Sequence, residues 1–157
     1  MNLTRERCCL LASSTMTGPS TTTVRLGLLL RQSHRVASRA LAEALTPLGL
    51  TPRHFGVLLQ LARDEVSTQR DLIALTGSDK AGMTCTVEDL EGLGYIVRTP
   101  SAADRRVAEI RLTAPGRAAF GEAVGIAGRV GDTLFGAFSD AELAVVESVL
   151  ARIVSGQ

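Results

Sequence analysis

Apolar residues recur at helical spacing along most of the chain, and the pattern turns to strict alternation near residues 95–112. From about Thr22 to Leu48, the positions Leu26, Leu30, His34, Ala37, Leu41 and Leu45 form one stripe, with Arg31, Arg35 and Arg39 on a more polar face. Pro47 and Gly49 end that helix, and Thr51-Pro52 opens the next with a cap and a first-turn proline. Phe55, Leu58, Leu59 and Ala62 are expected to form its buried side, Arg63-Asp64-Glu65 a solvated connection, and Val66 a short strand. Ser67-Thr68-Gln69-Arg70-Asp71 places a hydroxyl cap ahead of a first-turn acid, so a short helix follows with Leu72, Ile73 and Leu75 turned inward. Thr76-Gly77-Ser78 interrupts it, since glycine turns the backbone where other residues strain. A further helix runs from about Asp79 to Leu93 on Met83, Val87, Leu90 and Leu93, with Lys80, Thr84 and Thr86 on its other faces.

Gly94 stands where a left-handed helix cap is usual. Tyr95-Ile96-Val97-Arg98 then reads as a strand and Val107 to Leu112 as its alternating partner. Between them lies a polar tip with Asp104-Arg105-Arg106, where Asp104 is expected to hold one arginine while the other reaches outward toward a narrow, electronegative groove. Two helices joined by a short turn and followed by a hairpin make a winged helix-turn-helix, whose second helix can enter a major groove. The fold class is mainly α (α+β), with a small antiparallel wing.

Leu93-Gly94-Tyr95-Ile96 with Arg98, then Asp104-Arg105-Arg106, then Leu112-Thr113-Ala114-Pro115-Gly116 resemble, in order and spacing, the MarR family of bacterial transcriptional regulators. The resemblance reaches back to Gly49-Leu50-Thr51 and covers about residues 22 to 155. It implies a two-fold dimer on a pseudo-palindromic operator in double-stranded DNA, usually a repressor, often released by a small aromatic, phenolic or otherwise lipophilic ligand. It also implies a ligand pocket between dimerisation helices and the DNA-binding lobe.

After the wing, Thr113 and Pro115 open a helix carrying Phe120, Val124, Ala127, Val130 and Leu134, but also Gly121, Gly125, Gly128 and Gly131. Each glycine costs a helix roughly 1 kcal/mol against alanine. Their three- and four-residue spacing therefore suggests a closely packed helix partner. Glu122, Arg129 and Asp132 argue against a membrane setting. A capping box at Ser139-Asp140-Ala141-Glu142 starts the last helix, with Leu143, Val146, Val149, Leu150 and Ile153 along it. One monomer cannot bury the apolar faces of the first and last helices, so the expectation is a homodimer built from about residues 22–48 and 115–155, around a winged helix at about 50–116. Residues 1–20 read as a flexible tail, in which Met16 is an alternative start, and residues 21–157 as one domain.

With 157 residues, a net charge of +1 and no tryptophan, the chain has enough Leu, Val, Ile and Ala for one core, but its overall charge does not advertise nucleic acid. Within the motif, Lys80, Arg98, Arg105, Arg106 and Arg111 are balanced by Asp79, Glu88, Asp89, Glu91, Asp104 and Glu109. DNA affinity then depends on which face each charge occupies. Three cysteines, two of them adjacent, form no disulfide framework, and no apolar run suits a bilayer, so a cytoplasmic protein is expected. The apolar portion after Arg5 and Arg7 is too short for a signal peptide.

Candidate DNA contacts are Ser78, Lys80, Thr84 and Thr86 on the recognition helix and Arg98, Arg105 and Arg106 on the wing, with Asp104 orienting the wing. For the wing pair the bland alternative is a soluble, charged hairpin tip. Arg31, His34, Arg35 and His54 are candidates for holding the carboxylate of an aromatic acid; otherwise His34 is a satisfied core histidine and His54 a helix-end surface residue. Two histidines on separate helices make no zinc site, and neither metal nor cofactor is expected. Cys85 on the recognition helix, or Cys8 and Cys9 in the tail, support a second reading as a thiol-based redox sensor. Thiol-sensing members of the family use a cysteine near the start of the first helix with tyrosines close by; here both tail cysteines precede that helix and Tyr95 is the sole tyrosine. No phosphate-binding glycine loop, metal spacing or nucleophile with a base partner suggests an enzyme. A winged helix used as a protein-interaction module, favoured by the acidic residues around the recognition helix, is the alternative of another class.

Overall fold

The computed structural model describes residues 21–64, 67–102 and 104–156. Cys8, Cys9, Met16 and Val66 lie outside the described residues. Helix α1 (Thr21–Leu45) passes through a 3-10 turn (Thr46–Leu48) to α2 (Pro52–Asp64), β1 (Ser67–Thr68), α3 (Gln69–Thr76) and α4 (Lys80–Gly92). The hairpin β2 (Ile96–Pro100) and β3 (Ala108–Leu112) leads to α5 (Ala114–Phe135) and α6 (Asp140–Ser155). The chain divides into one unit ending at His34 and a second from Arg35 onward.

Local chemistry sets most of these boundaries. Thr68 and Asp71 close a reciprocal capping box at the start of α3, and Gly77, at φ 65°, ends that helix in the left-handed region. Asp79 caps α4 through the Gly82 N–H at 2.8 Å, and Ser139 with Glu142 forms the box of α6. The three strands are antiparallel in the order β1-β3-β2, with Ser67 opposite Ile110 and Arg98 opposite Ile110 across β3's other edge. Strand β2 continues through Pro100, two residues beyond the expected Tyr95–Arg98, because β2 is an edge strand, where a missing N–H is tolerated.

The core of the second unit collects Leu45, Val57, Leu58, Leu61, Leu72, Met83, Val87, Leu90, Ile96 and Ile110 beneath the winged helix. Several expected core positions differ by a rotation of the helix. On α2 the buried residues are His54, Val57, Leu58 and Leu61, while Leu59 and Ala62 are exposed. Leu75 and Leu93 are exposed as well, whereas Thr86 is buried. Polar side chains hold buried positions here because their polar atoms are satisfied locally, leaving the carbon framework free to pack.

Three of the four glycines expected to lie against a helix partner, Gly121, Gly128 and Gly131, are open in the single chain. Among the described residues, a Cβ on Gly121, Gly128 or Gly131 would meet nothing within 4 Å, so no helix of the same chain packs onto them. Gly116 is the close approach instead. A Cβ there would lie 1.9 Å from the Tyr95 carbonyl oxygen, where α5 starts against the beginning of β2. The same carbonyl accepts the Thr113 N–H at 3.0 Å, so neither backbone segment can retreat without losing that bond. Gly116→Ala is expected to cost about 3 kcal/mol or more, at the upper end for overpacking. Gly56→Ala, in α2 with nothing within 4 Å, is expected to be neutral or stabilising by up to about 1 kcal/mol. Urea denaturation of both variants checks the contrast; equal midpoints would refute it.

Candidate nucleic-acid interface

Helix α4 presents Lys80 and Cys85 to solvent with Thr84 half-buried, and Ser78 is half-buried in the turn before it. The Thr84 hydroxyl donates to the Lys80 carbonyl at 2.9 Å and accepts from Gln69 Nε2 at 2.7 Å, which ties the two helices of the motif together. In the turn, the Thr76 hydroxyl bonds the Leu72 carbonyl at 2.7 Å and lies 3.0 Å from Ser78 Oγ. One hydroxyl proton cannot serve both partners, so Ser78 donates to Thr76. Thr86 is a correction. It is 2% exposed and its hydroxyl donates back to the Gly82 carbonyl at 2.7 Å, so it belongs to the core side of α4 and not to the groove-facing side.

The wing tip is organised by Asp104, though not in the expected way. Its Oδ1 accepts from the Arg106 backbone N–H at 2.9 Å and its carbonyl accepts from the Val107 N–H at 2.9 Å. The carboxylate thus shapes the turn and not a guanidinium, and Arg105 and Arg106 both remain exposed at the tip. Arg98 is half-buried and held by Glu91, with Nε 2.9 Å from Oε2 and Nη2 closer still. The guanidinium hydrogen bond keeps the Glu91 carboxyl below the usual glutamate range. Arg98 therefore fastens β2 to α4, which commits part of its guanidinium to the fold. Arg111 is spent similarly on Glu109 at 2.9 Å.

His54 is another correction, being neither surface nor open to a ligand. Its Nδ1 accepts the Thr51 N–H at 3.2 Å, which leaves the proton on Nε2, 3.4 Å from Asp89 Oδ2. It joins α2 to the recognition helix. Arg31, His34 and Arg35 are all exposed on α1, so His34 is not a core histidine of the single chain. The second unit has a cleft of about 760 Å³ between the last part of α1 and α5, walled by Ala40, Ala44, Leu48, Ile126, Val130 and Leu134, with Glu122, Arg129 and Thr133 also lining it. Neither Arg35 nor His54 lines that cleft. Among the described residues no group of three or more His, Cys, Asp or Glu side chains could hold a metal, and no helix is long and apolar enough to cross a membrane.

The geometry has the parts of a DNA-reading winged helix, and the comparisons with known proteins agree. A family model described as MarR family matches residues 48–107. A Thauera aromatica protein named for transcriptional regulation of the hcr operon is 30% identical over 129 residues, covering 82% of this chain and 78% of that one. The chain belongs to the MarR family. Among solved structures, a MarR-family transcriptional regulator from Rhodococcus sp. RHA1 superposes with a TM-score of 0.80 at 26% identity, covering 88% of this chain and 98% of that one. CouR from Rhodococcus jostii RHA1, bound to p-coumaroyl-CoA, gives 0.74 at 27% identity, covering 85% and 94%. This MarR-family member is thus a transcriptional regulator built on a winged helix.

Two outcomes follow from the interface. Thr86→Val is expected to leave the DNA sequence preference unchanged and stability within about 1 kcal/mol, since the lost hydroxyl bond is local; a changed preference in a duplex-selection experiment would return Thr86 to the reading face. Asp79 is held below the ordinary aspartate value of 3.8, chiefly by the Gly82 N–H that it caps. A depressed folded-state value means that the cap's stabilisation is complete above the ordinary value and is lost as pH falls through the depressed one. Wild type is therefore expected to lose more stability than Asp79→Asn between about pH 5 and 2, because asparagine caps without titrating. Urea midpoints across that range measure it, and parallel curves would count against the cap.

Proposed function

We propose that this MarR-family regulator is a homodimeric repressor that binds a pseudo-palindromic operator and is released by a small aromatic or lipophilic ligand. The observation that carries the DNA part is the exposed pair Arg105 and Arg106 at the wing tip, on a hairpin shaped by Asp104, directly after a recognition helix that offers Lys80, Ser78 and Thr84. Recognition helices of two protomers would occupy major grooves about one helical turn apart, with wings in the flanking minor grooves.

Dimerisation is supported by apolar surface that the single chain leaves open. Helix α6 has no buried residue, although Val146, Val149, Leu150 and Ile153 recur along it at helical spacing. In α1, Leu26 and Leu30 of the expected stripe are exposed in the same way. Exposed apolar runs of this size mark interaction surfaces. The glycine face of α5, open in the single chain, fits a close-packed partner helix.

Effector binding is supported by the cleft beside α5, whose apolar walls suit an aromatic ring and whose Arg129 suits its carboxylate. The p-coumaroyl group of CouR's ligand supplies such a ring, with a thioester in place of the carboxylate. Neither Arg35 nor His54 of the expected ligand set lines this cleft, so Arg129 takes the role proposed for them there. A ligand can weaken DNA binding only as far as it prefers the state that does not fit the operator. A thiol-responsive version of the same reading rests on Cys85, exposed on α4, where oxidation would add bulk or charge beside DNA.

The test is binding to a duplex of the protein's own promoter region across a salt series, with Arg105→Ala/Arg106→Ala alongside and the oligomeric state followed by sedimentation. Expected are a dimer, wild-type binding that weakens steeply with salt, and a variant with at least about tenfold lower affinity and a shallower slope. A folded dimer with no specific binding would sink autoregulation. Binding to a protein partner without affinity for duplex would favour the interaction-module reading.

A further inference from the structure

Arg53 lies outside the helix-turn-helix, at the start of α2, yet its guanidinium lies against the first turn of α4. A Cβ on Gly82 would stand 2.7 Å from Arg53 Nη1 and 3.5 Å from its Cζ, with Asp79 Oδ2 at 3.3 Å. The bare Cα of Gly82 thus forms a notch that the guanidinium occupies, at a helical position where glycine is otherwise a cost. Gly82 retains helical geometry and its N–H is bound by the Asp79 cap, so no turn or positive φ requires glycine there. Room for Arg53 is what the position supplies.

The neighbouring residue fixes the approach. His54 meets Asp89 while Arg53 meets Gly82, so two consecutive residues of α2 address α4 at points seven residues apart. Seven residues span about 10 Å of helix, so the arginine stem runs along α4 toward its N-terminus. That end of a recognition helix is the one that approaches DNA.

The guanidinium arrives there with its donors unused. Among the described residues, Arg98 is held by Glu91, Arg111 by Glu109, Arg39 by Glu43 and Arg117 by the Leu112 carbonyl, whereas Arg53, like Arg63 and Arg70, is exposed with no hydrogen bond or ion pair, and acts on Asp79 only through the field of its charge. Asp79 is close enough to orient it, but spends Oδ1 on capping Gly82. A planar fork of N–H groups in that setting matches a phosphodiester.

We propose that Arg53 is a DNA-backbone contact of this regulator, seated by the Gly82 notch so that its guanidinium clamps an operator phosphate beside the N-terminus of α4. The proposal rests on the DNA-binding reading above and adds a contact from outside the helix-turn-helix and wing. A phosphate clamp sets register and affinity without reading sequence. Gly82→Ala must shift the end of the guanidinium by several tenths of an ångström and so disturbs its seat while keeping its charge.

The experiment takes the full chain and the duplex that wild type selects from a random-sequence pool, and measures affinity against salt for wild type, Arg53→Gln, Arg53→Lys and Gly82→Ala, with thermal unfolding in parallel. Expected for Arg53→Gln is weaker binding, a log–log salt slope shallower by about 0.9 per protomer and an unchanged base preference, and for Gly82→Ala weaker binding with most of the slope kept. Arg53→Lys keeps the charge and should keep most of the slope. An Arg53→Gln slope equal to that of wild type, whatever the affinity, overturns the proposal and leaves Arg53 a packing residue. Failure of wild type to select any duplex overturns the DNA-binding reading itself, and this contact with it.

Discussion

Four elements converge on the backbone of Gly94 and Tyr95, and the arrangement of the DNA-facing parts depends on that seam. Tyr95 N–H is accepted by the Leu90 carbonyl at the end of α4, and the Tyr95 carbonyl accepts the Thr113 N–H between β3 and α5. The Thr113 hydroxyl donates to the Gly94 carbonyl at 2.6 Å while accepting the Gly116 N–H at 3.0 Å. Buried backbone groups must all find partners, and here one threonine and one glycine satisfy the end of a helix, the start of a strand and the start of the next helix together. The seam sets where the wing leaves α4, and hence where the wing tip stands relative to the recognition helix. It also explains why Gly94-Tyr95 and Thr113 to Gly116, far apart in sequence, belong to one recognisable signature.

From that seam outward, side-chain ties hold the recognition helix on three sides. Gln69 bonds Thr84 from α3, His54 meets Asp89 from α2, and Arg98 holds Glu91 from β2. Each partner on α4 is polar and lies off the line of Met83, Val87 and Leu90 that fills the core. Core packing fixes the depth of the helix, and these ties limit its rotation. Groups that looked available for DNA, Arg98 and Thr84 among them, are partly committed to this.

Much of this was legible in the sequence. Caps and turns carry local chemistry, so Thr68-Asp71, Gly77, Asp79, Gly94 and Ser139-Glu142 marked element ends within a residue or two. Helix faces were less legible, because residue type is an imperfect guide to burial when polar atoms are satisfied nearby. Thr86 hides its hydroxyl on the Gly82 carbonyl and His54 hides both nitrogens, and each sits at a position that an apolar stripe would have assigned elsewhere. Asp104 was expected to hold a wing guanidinium, but a short side chain reaches the backbone two residues on more easily than a mobile guanidinium. Arg53 gave no signal, since the meaning of Gly82 appears only when α2 lies beside α4.

The near-neutral charge of the chain is consistent with DNA binding once pairing is taken into account. Of the basic groups in the winged helix, Arg98 and Arg111 are neutralised within the fold by Glu91 and Glu109, acids that in sequence looked like obstacles to a phosphate backbone. Asp71 and Asp79 are likewise occupied with helix N-termini, which lowers both carboxyls below the usual aspartate range. Internal pairing cancels much of the acidic field without adding net charge. Lys80, Arg105, Arg106, Arg53, Arg63 and Arg70 are exposed in the winged-helix region without an ion pair, distributed over α4, the wing, α2 and α3. A few separately placed cations give a modest counterion-release term, so specificity in such a regulator depends on geometry more than on bulk charge. In the dimer proposed above, an effector that displaced the recognition helices slightly would then remove most of the affinity, because little non-specific attraction would remain to hold a mismatched pair on DNA.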